Sequence, residues 1–344
     1  MKAWVIERIT PIEAESAPLK MIELPVPQPA ADQILIKVQT CGVCHTEIDE
    51  IEGRAAPANL PMVPGHQVVG QVVEKGKLAK KFQIGDRVGV AWIYAACGQC
   101  DFCLRGEENL CGDFKATGRD APGGYAEFMV VNENFAYAIP ENMDVYQAAP
   151  LLCAGAIGYR SLRLTELKNG MRLGLTGFGA SAHLVLMMTK AMFPQSEVYV
   201  FSRSLAEREF AQKLGAVWTG AIEDLSPAAL DAIIDTTPAW KPVLQALRNL
   251  APGGRLVINA IRKEDFDRHL LAELDYPSQL WMEKEIKSVA NVTRQDVEEC
   301  LQLIARKDIC AEVQVYPFDQ ANQAILDLRN RKIKGAKVLE VASQ

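Results

Sequence analysis

The chain has 344 residues, beyond the ~250–300 at which a single hydrophobic core stops growing, so two domains are expected. Hydrophobic residues make up 49% and charged residues 23%, the balance of an ordinary folded protein, and a net charge of −6 with no long basic run argues against nucleic-acid binding through phosphate neutralisation. The first residues lack the long apolar segment of a signal peptide, and no run approaches the ~20 apolar residues that span a bilayer, so a cytoplasmic protein without a membrane partner is expected.

Through about residue 150 the sequence reads as β-rich. Runs of β-branched residues at 34–38, 68–73, 87–91 and 126–131 predict strands, punctuated by Pro61, Pro64, Gly65, Gly85, Gly123 and Gly124. A short helix is expected over 46–52. Between the third and fourth of these strands lies the strongest local signal, Cys97, Cys100, Cys103 and Cys111. Closely spaced cysteines on a tight loop supply the tetrahedral thiolate set that zinc prefers, and Gly98 and Gly106 allow the turns. With no open coordination position the site is read as a structural zinc lobe, at about residues 95–113; an iron–sulfur cluster is the rival metal.

From about Cys153 the texture changes to alternating strand and helix: strands over 172–176, 197–202, 232–235 and 255–260, helices over 182–191, 205–214 and 242–250. That alternation predicts a parallel sheet wound by helices, a doubly wound α/β domain over 153–287. After about Lys287 the elements mix again, with helices over 294–305 and 318–329 and strands over 312–316 and 337–341. This tail is expected to pack back onto the first domain, which is then formed by 1–152 and 288–344.

Three further stretches hold metal-ligating residue types: Cys44 in Cys41-Gly42-Val43-Cys44-His45-Thr46-Glu47, His66 in Pro64-Gly65-His66-Gln67-Val68, and Cys153 in Pro150-Leu151-Leu152-Cys153-Ala154-Gly155. Spacing alone does not link them. Together with the four-cysteine lobe, the Gly85-Asp86-Arg87-Val88 turn and the Gly123-Gly124-Tyr125-Ala126-Glu127 stretch, however, they resemble the zinc-dependent medium-chain alcohol dehydrogenases, and the likeness runs over essentially the whole chain. The resemblance implies a GroES-like β-rich catalytic domain and a catalytic zinc on Cys44, His66 and Cys153, giving two zinc ions per subunit. A zinc with three protein ligands and one exchangeable position acts as a Lewis acid on a substrate oxygen. It also implies that Thr46 contacts that oxygen and starts the proton relay, that Glu47 stands behind the metal, that His45 reaches the cofactor pyrophosphate, and that Trp92 lines the substrate pocket. Two departures stand out: Gln67 where the family usually has Glu, and Asp49 where many members end the relay with His. Gly335-Ala336 also replaces the Gly-Arg pair often found before the last strand, leaving Lys334 or Lys337 as possible substitutes. Cys41, Cys300 and Cys310 are expected to be buried small residues.

Gly177-Phe178-Gly179-Ala180-Ser181-Ala182 follows the first strand of the α/β region and opens a helix, a G-x-G-x-x-A form of the dinucleotide fingerprint: Gly177 makes the turn, Gly179 lets the pyrophosphate approach, and Ala182 packs closely. An NAD enzyme usually places an acid at the end of the second strand to hold the adenosine ribose. Here Ser202 and Arg203 stand there, which favours NADP(H), with NAD(H) as the alternative. The expectation is therefore an enzyme moving hydride between NADP(H) and a small-molecule alcohol or aldehyde, mainly as an aldehyde reductase, in a homodimer or homotetramer. The alternatives are an NAD-dependent alcohol or polyol dehydrogenase and a non-catalytic protein binding zinc and dinucleotide.

Overall fold

The chain divides into two compact units, Met1–Cys153 with Val292–Gln344 in one and Ala154–Asn291 in the other. The computed structural model describes residues 1–14, 17–307, 309–330 and 335–342. No helix among them is long and apolar enough to cross a membrane.

The first unit is organised around the strand Gln33–Val43, whose Ile34, Ile36 and Val38 are fully buried. Val68–Lys75 and Phe128–Asn132 pair with it antiparallel, and the sheet continues through Arg87–Val90 to Ala136–Ala138. Irregular register between Leu35 and Ile36 and between Val38 and Thr40 bends the long strand. Ala336–Glu340 also pairs antiparallel with it, setting Leu339 opposite Cys41, so the C-terminal segment completes this sheet. Val313–Pro317 adds in parallel at the edge. Cys41 lies opposite Val68, and the Gly42 N–H donates to the Gln67 carbonyl at 2.9 Å. This register sets the segments carrying Cys44 and His66 side by side, because each leaves the sheet at the same end.

The second unit holds six parallel strands in the order Trp218–Gly220, Glu197–Phe201, Arg172–Thr176, Leu230–Asp235, Leu250–Ile258, Glu285–Ser288. Numbered along the chain this is 3-2-1-4-5-6, the Rossmann arrangement. Its central strands are covered on both faces, so Leu173, Leu175, Val198, Val200, Ile233 and Ile234 are all buried, which explains their near-continuous apolar runs. The fold is thus α/β, a GroES-like β-rich unit with a Rossmann unit. The fifth strand starts five residues earlier than its sequence suggests, because the turn-like Pro252-Gly253-Gly254 is absorbed as an irregularity between Leu230 and Ala232 of its neighbour. Helix Val145–Pro150, the π-helical turn Leu151–Gly155 and helix Ala156–Leu164 were hidden in sequence by Pro150, Gly155 and Gly158.

Candidate metal centres and dinucleotide site

The four cysteines of the lobe converge: one sulfur from each of Cys97, Cys100, Cys103 and Cys111 lies within 4.8 Å of the others. The Cys97 and Cys103 sulfurs are 3.9 Å apart, close to the ~3.8 Å edge of a tetrahedron with Zn–S bonds of about 2.3 Å. Backbone N–H groups point at the sulfurs, from Cys100 to Cys97 and from Cys97 and Asp113 to Cys111, each at 3.4 Å. Such donors favour thiolate; those of Gln99 and Cys100 lower Cys97 to about 7. The donor set and its geometry fit a four-thiolate metal. Gly98 and Gly106 both take left-handed φ, +74°, where the chain reverses. The lobe is tied to the rest of its unit through buried Glu108, which accepts from the backbone N–H and guanidinium of Arg294, each at 2.9 Å. Burial works against this carboxylate, but those donors outweigh it and hold the carboxyl below its usual range.

Cys44, His66 and Cys153 form the second cluster, again with one ligand atom each within 4.8 Å. Cys44 is the N-cap of helix His45–Ile51. Its sulfur accepts from the Thr46 N–H at 3.4 Å, and its own N–H donates to Glu47 Oε2 at 2.8 Å, a reciprocal capping box. His66 Nε2 faces the Cys44 sulfur at 3.6 Å, while its Nδ1 lies 2.7 Å from Glu47 Oε1. The latter pair is at ion-pair distance but outside hydrogen-bond alignment. Cys153 sits on the π-helical turn, a feature concentrated at functional sites. A bond to Cys153, then burial and the Glu47 carboxylate, push the Cys44 thiol well above its ordinary value. Two sulfurs, an imidazole and a carboxylate behind the imidazole make a donor set that a divalent cation satisfies, and the residues fit a zinc site.

Trp92 is buried and meets the His66 ring edge-on, with centroids 4.9 Å apart, so it buttresses the imidazole; Arg119 lies over its indole at 5.5 Å. Thr46 is half-buried in the first helical turn and His45 is exposed. Gln67 is buried, and its Nε2 has no hydrogen-bond partner among the described residues. Asp49 is held by the Arg54 guanidinium at 2.6 Å.

In the second unit the first strand ends at Thr176 and the fingerprint turns into helix Ala180–Met192. Gly177 has φ +77°, and a Cβ there would press on Thr236 at 2.9 Å; a Cβ on Gly179 would project into open space, the room a pyrophosphate needs. Ala182 is fully buried against the sheet. His183, just beyond, is buried, with Nδ1 3.1 Å from the Gly179 carbonyl. The turn fits a dinucleotide. At the second strand's end Ser202 is buried, and its hydroxyl donates to Glu207; Arg203 is exposed. Lys334 lies outside the described residues. Lys337 is buried and donates to Gln314 at 3.0 Å and to the Tyr316 hydroxyl at 2.9 Å, so it is committed to the core of the first unit.

The Alcohol dehydrogenase GroES-like domain family matches residues 30–141, and the Zinc-binding dehydrogenase family matches residues 213–339. A probable alcohol dehydrogenase of Mycobacterium tuberculosis is 40% identical over 98% of this chain and 97% of its own length. The chain belongs to the zinc-dependent medium-chain alcohol dehydrogenases. A probable cinnamyl alcohol dehydrogenase of Populus deltoides is 35% identical over 90% of this chain and 89% of its own. The solved structure of a cinnamyl alcohol dehydrogenase from Sorghum bicolor superposes with a TM-score of 0.84 at 28% identity, covering 100% of this chain and 98% of that one. This member of the family is therefore an oxidoreductase.

Several residues of this family member escaped sequence reasoning. Glu50 is fully buried beside the first-unit cluster, and neither carboxylate oxygen has a hydrogen bond among the described residues; burial, then Glu47, pushes its carboxyl well up. In sequence it reads as one more acid on an acidic helix. Lys263 is buried on Asp235 and also donates to the Thr237 and Ala239 carbonyls at 2.7 and 3.1 Å, while Thr176 donates to Asp235 at 2.5 Å. This network stiffens the loop after the fourth Rossmann strand. No local motif marks it, because Lys263 and Asp235 are far apart in the chain. Cys41 and Cys300 are buried as expected, but Cys310 is exposed, on the connection leading to strand Val313–Pro317.

Proposed function

We propose that the protein is a zinc-dependent dehydrogenase transferring a hydride between a nicotinamide dinucleotide and an alcohol or aldehyde. The observation that carries the reading is the Cys44–His66–Cys153 donor set with a carboxylate behind the histidine. When bound, a zinc ion held by three protein donors supplies Lewis-acid polarisation of a substrate oxygen, and the dinucleotide supplies or accepts the hydride. Cys44, His66 and Cys153 would hold the catalytic metal, and Cys97, Cys100, Cys103 and Cys111 a structural one. Glu47 sets a carboxylate 2.7 Å from Nδ1 of His66, on the side of the ring away from Nε2, which faces the sulfur of Cys44. Trp92 buttresses the same ring, and as a pocket wall it would suit an aromatic substrate such as the cinnamyl alcohol named for the Populus and Sorghum relatives.

Thr46 would carry the substrate proton on its hydroxyl. Asp49, already engaged by Arg54, is a poor terminus for that proton, which would leave through water. Gly177, Gly179 and Ala182 would cradle the dinucleotide, with His45 a candidate for its pyrophosphate. Arg203 suits the 2′-phosphate of NADP(H), but the Ser202 hydroxyl is spent on Glu207. A homodimer through the exposed edge strand Glu285–Ser288, flanked by exposed Trp281 and Met282, suits an edge that would otherwise stay unpaired.

The test is His66→Gln. Metal analysis should give one zinc per chain where wild type has two. Aldehyde reduction should be lost while dinucleotide binding persists. A variant that keeps both zinc ions and wild-type turnover would overturn the reading.

A further inference from the structure

This inference rests on the dinucleotide reading of the second unit and narrows it to one residue. In a Rossmann unit the residue closing the second strand addresses the 2′ position of the adenosine ribose; a carboxylate there accepts from the free hydroxyl and repels a 2′-phosphate. That residue is Ser202, directly after Glu197–Phe201 and only 2% exposed. A hydroxyl has one proton to donate. Ser202 gives it to the Glu207 carboxylate, while its oxygen accepts from the Ser204 N–H at 3.2 Å. No proton remains for a phosphate.

Glu207 stands in the first turn of helix Leu205–Lys213, where its backbone N–H donates to the capping Ser204 hydroxyl at 3.3 Å. The cap and Ser202 together fix the carboxylate at the strand end. Arg203, the group expected to attract a phosphate, is exposed. It adds to the field that, after the 2.5 Å pair with Lys241, holds the Glu223 carboxyl below its usual range.

We propose that Glu207 is the coenzyme-discriminating residue of this chain: its carboxylate, delivered from the helix, replaces the acid missing from the strand end and turns the site toward NAD(H). Sequence reading of Ser202 and Arg203 alone points the other way, because the acid lies five residues downstream.

Calorimetric titration of the full-length protein with 5′-AMP and with 2′,5′-ADP isolates the adenosine end, without zinc or turnover entering. Wild type should bind 5′-AMP more tightly than 2′,5′-ADP. Glu207→Gln keeps an acceptor for Ser202 and removes one charge. It should tighten 2′,5′-ADP about tenfold, the scale of one unit charge facing a phosphate across a few ångströms of partly exposed surface, and leave 5′-AMP within a small factor. Arg203→Ala should weaken 2′,5′-ADP only. Unchanged 2′,5′-ADP affinity in Glu207→Gln, or a wild type that prefers 2′,5′-ADP, would overturn the proposal while leaving the dinucleotide site standing. Binding of neither fragment would overturn the dinucleotide reading itself.

Discussion

Replacing Glu47 with glutamine removes one negative charge from behind His66 and little else. The two side chains are 1% and 0% exposed and 2.7 Å apart, so solvent neither screens the pair nor replaces it. Glutamine serves as well as glutamate in a capping box, so the bond to the Cys44 N–H and the start of helix His45–Ile51 are retained. What is lost is the carboxylate that orients the imidazole and raises its basicity toward a metal. Changes of this kind typically weaken metal binding by about 10–100-fold, or roughly 1.4–2.8 kcal/mol. The assay is zinc titration of metal-stripped protein against a competing chelator. One of two zinc affinities should fall by that factor, while the other, belonging to the four-cysteine lobe, stays at its wild-type value. Two wild-type affinities in Glu47→Gln would refute the reasoning, even if the variant melted at a lower temperature.

Asp49→Asn should lower the rate of alcohol oxidation far less than the ~10²-fold expected on losing a general base, because Arg54 already occupies that carboxylate; pH–rate profiles of the two proteins check this. Cys103→Ser should drop metal content by one zinc per chain. It should also remove about 4 kcal/mol of stabilisation when free zinc exceeds its dissociation constant a thousandfold, read from denaturant unfolding with and without zinc. Trp92→Ala removes a buried ring from against His66 and should cost about 3–5 kcal/mol of stability, whereas Trp92→Phe should keep the edge contact and most of the activity; unfolding and kinetics on one aromatic aldehyde compare them.

The Rossmann unit was legible because its strands are covered on both faces and read as apolar runs, and because the fingerprint glycines serve backbone geometry at the positions where they occur. The strand Arg172–Thr176 was read without error, and its helix within two residues at the N-terminal end. The four-cysteine lobe was legible because all its donors lie on one short loop. Cys44, His66 and Cys153 were not, except by resemblance. Their convergence depends on the antiparallel register of Gln33–Val43 with Val68–Lys75 and on a π-helical turn, and neither has a local signature. The edge strand Glu285–Ser288 was invisible for the opposite reason: all four of its residues are exposed, so no burial pattern marks it. Glu207 and Arg54 escaped because each acts on a residue five positions away, Ser202 and Asp49, outside the i,i+3 and i,i+4 spacings by which neighbours on a helix are read.

The central claim is hydride transfer dependent on a zinc held by Cys44, His66 and Cys153. The most direct test follows oxidation of reduced nicotinamide dinucleotide by an aromatic aldehyde in the purified protein, before chelation, after removal of zinc, and after zinc is restored. Turnover that disappears with the metal and returns with it, alongside cofactor binding throughout, is the predicted result. Turnover indifferent to zinc removal would contradict the account, as would zinc and cofactor bound in full with no turnover of any alcohol or aldehyde.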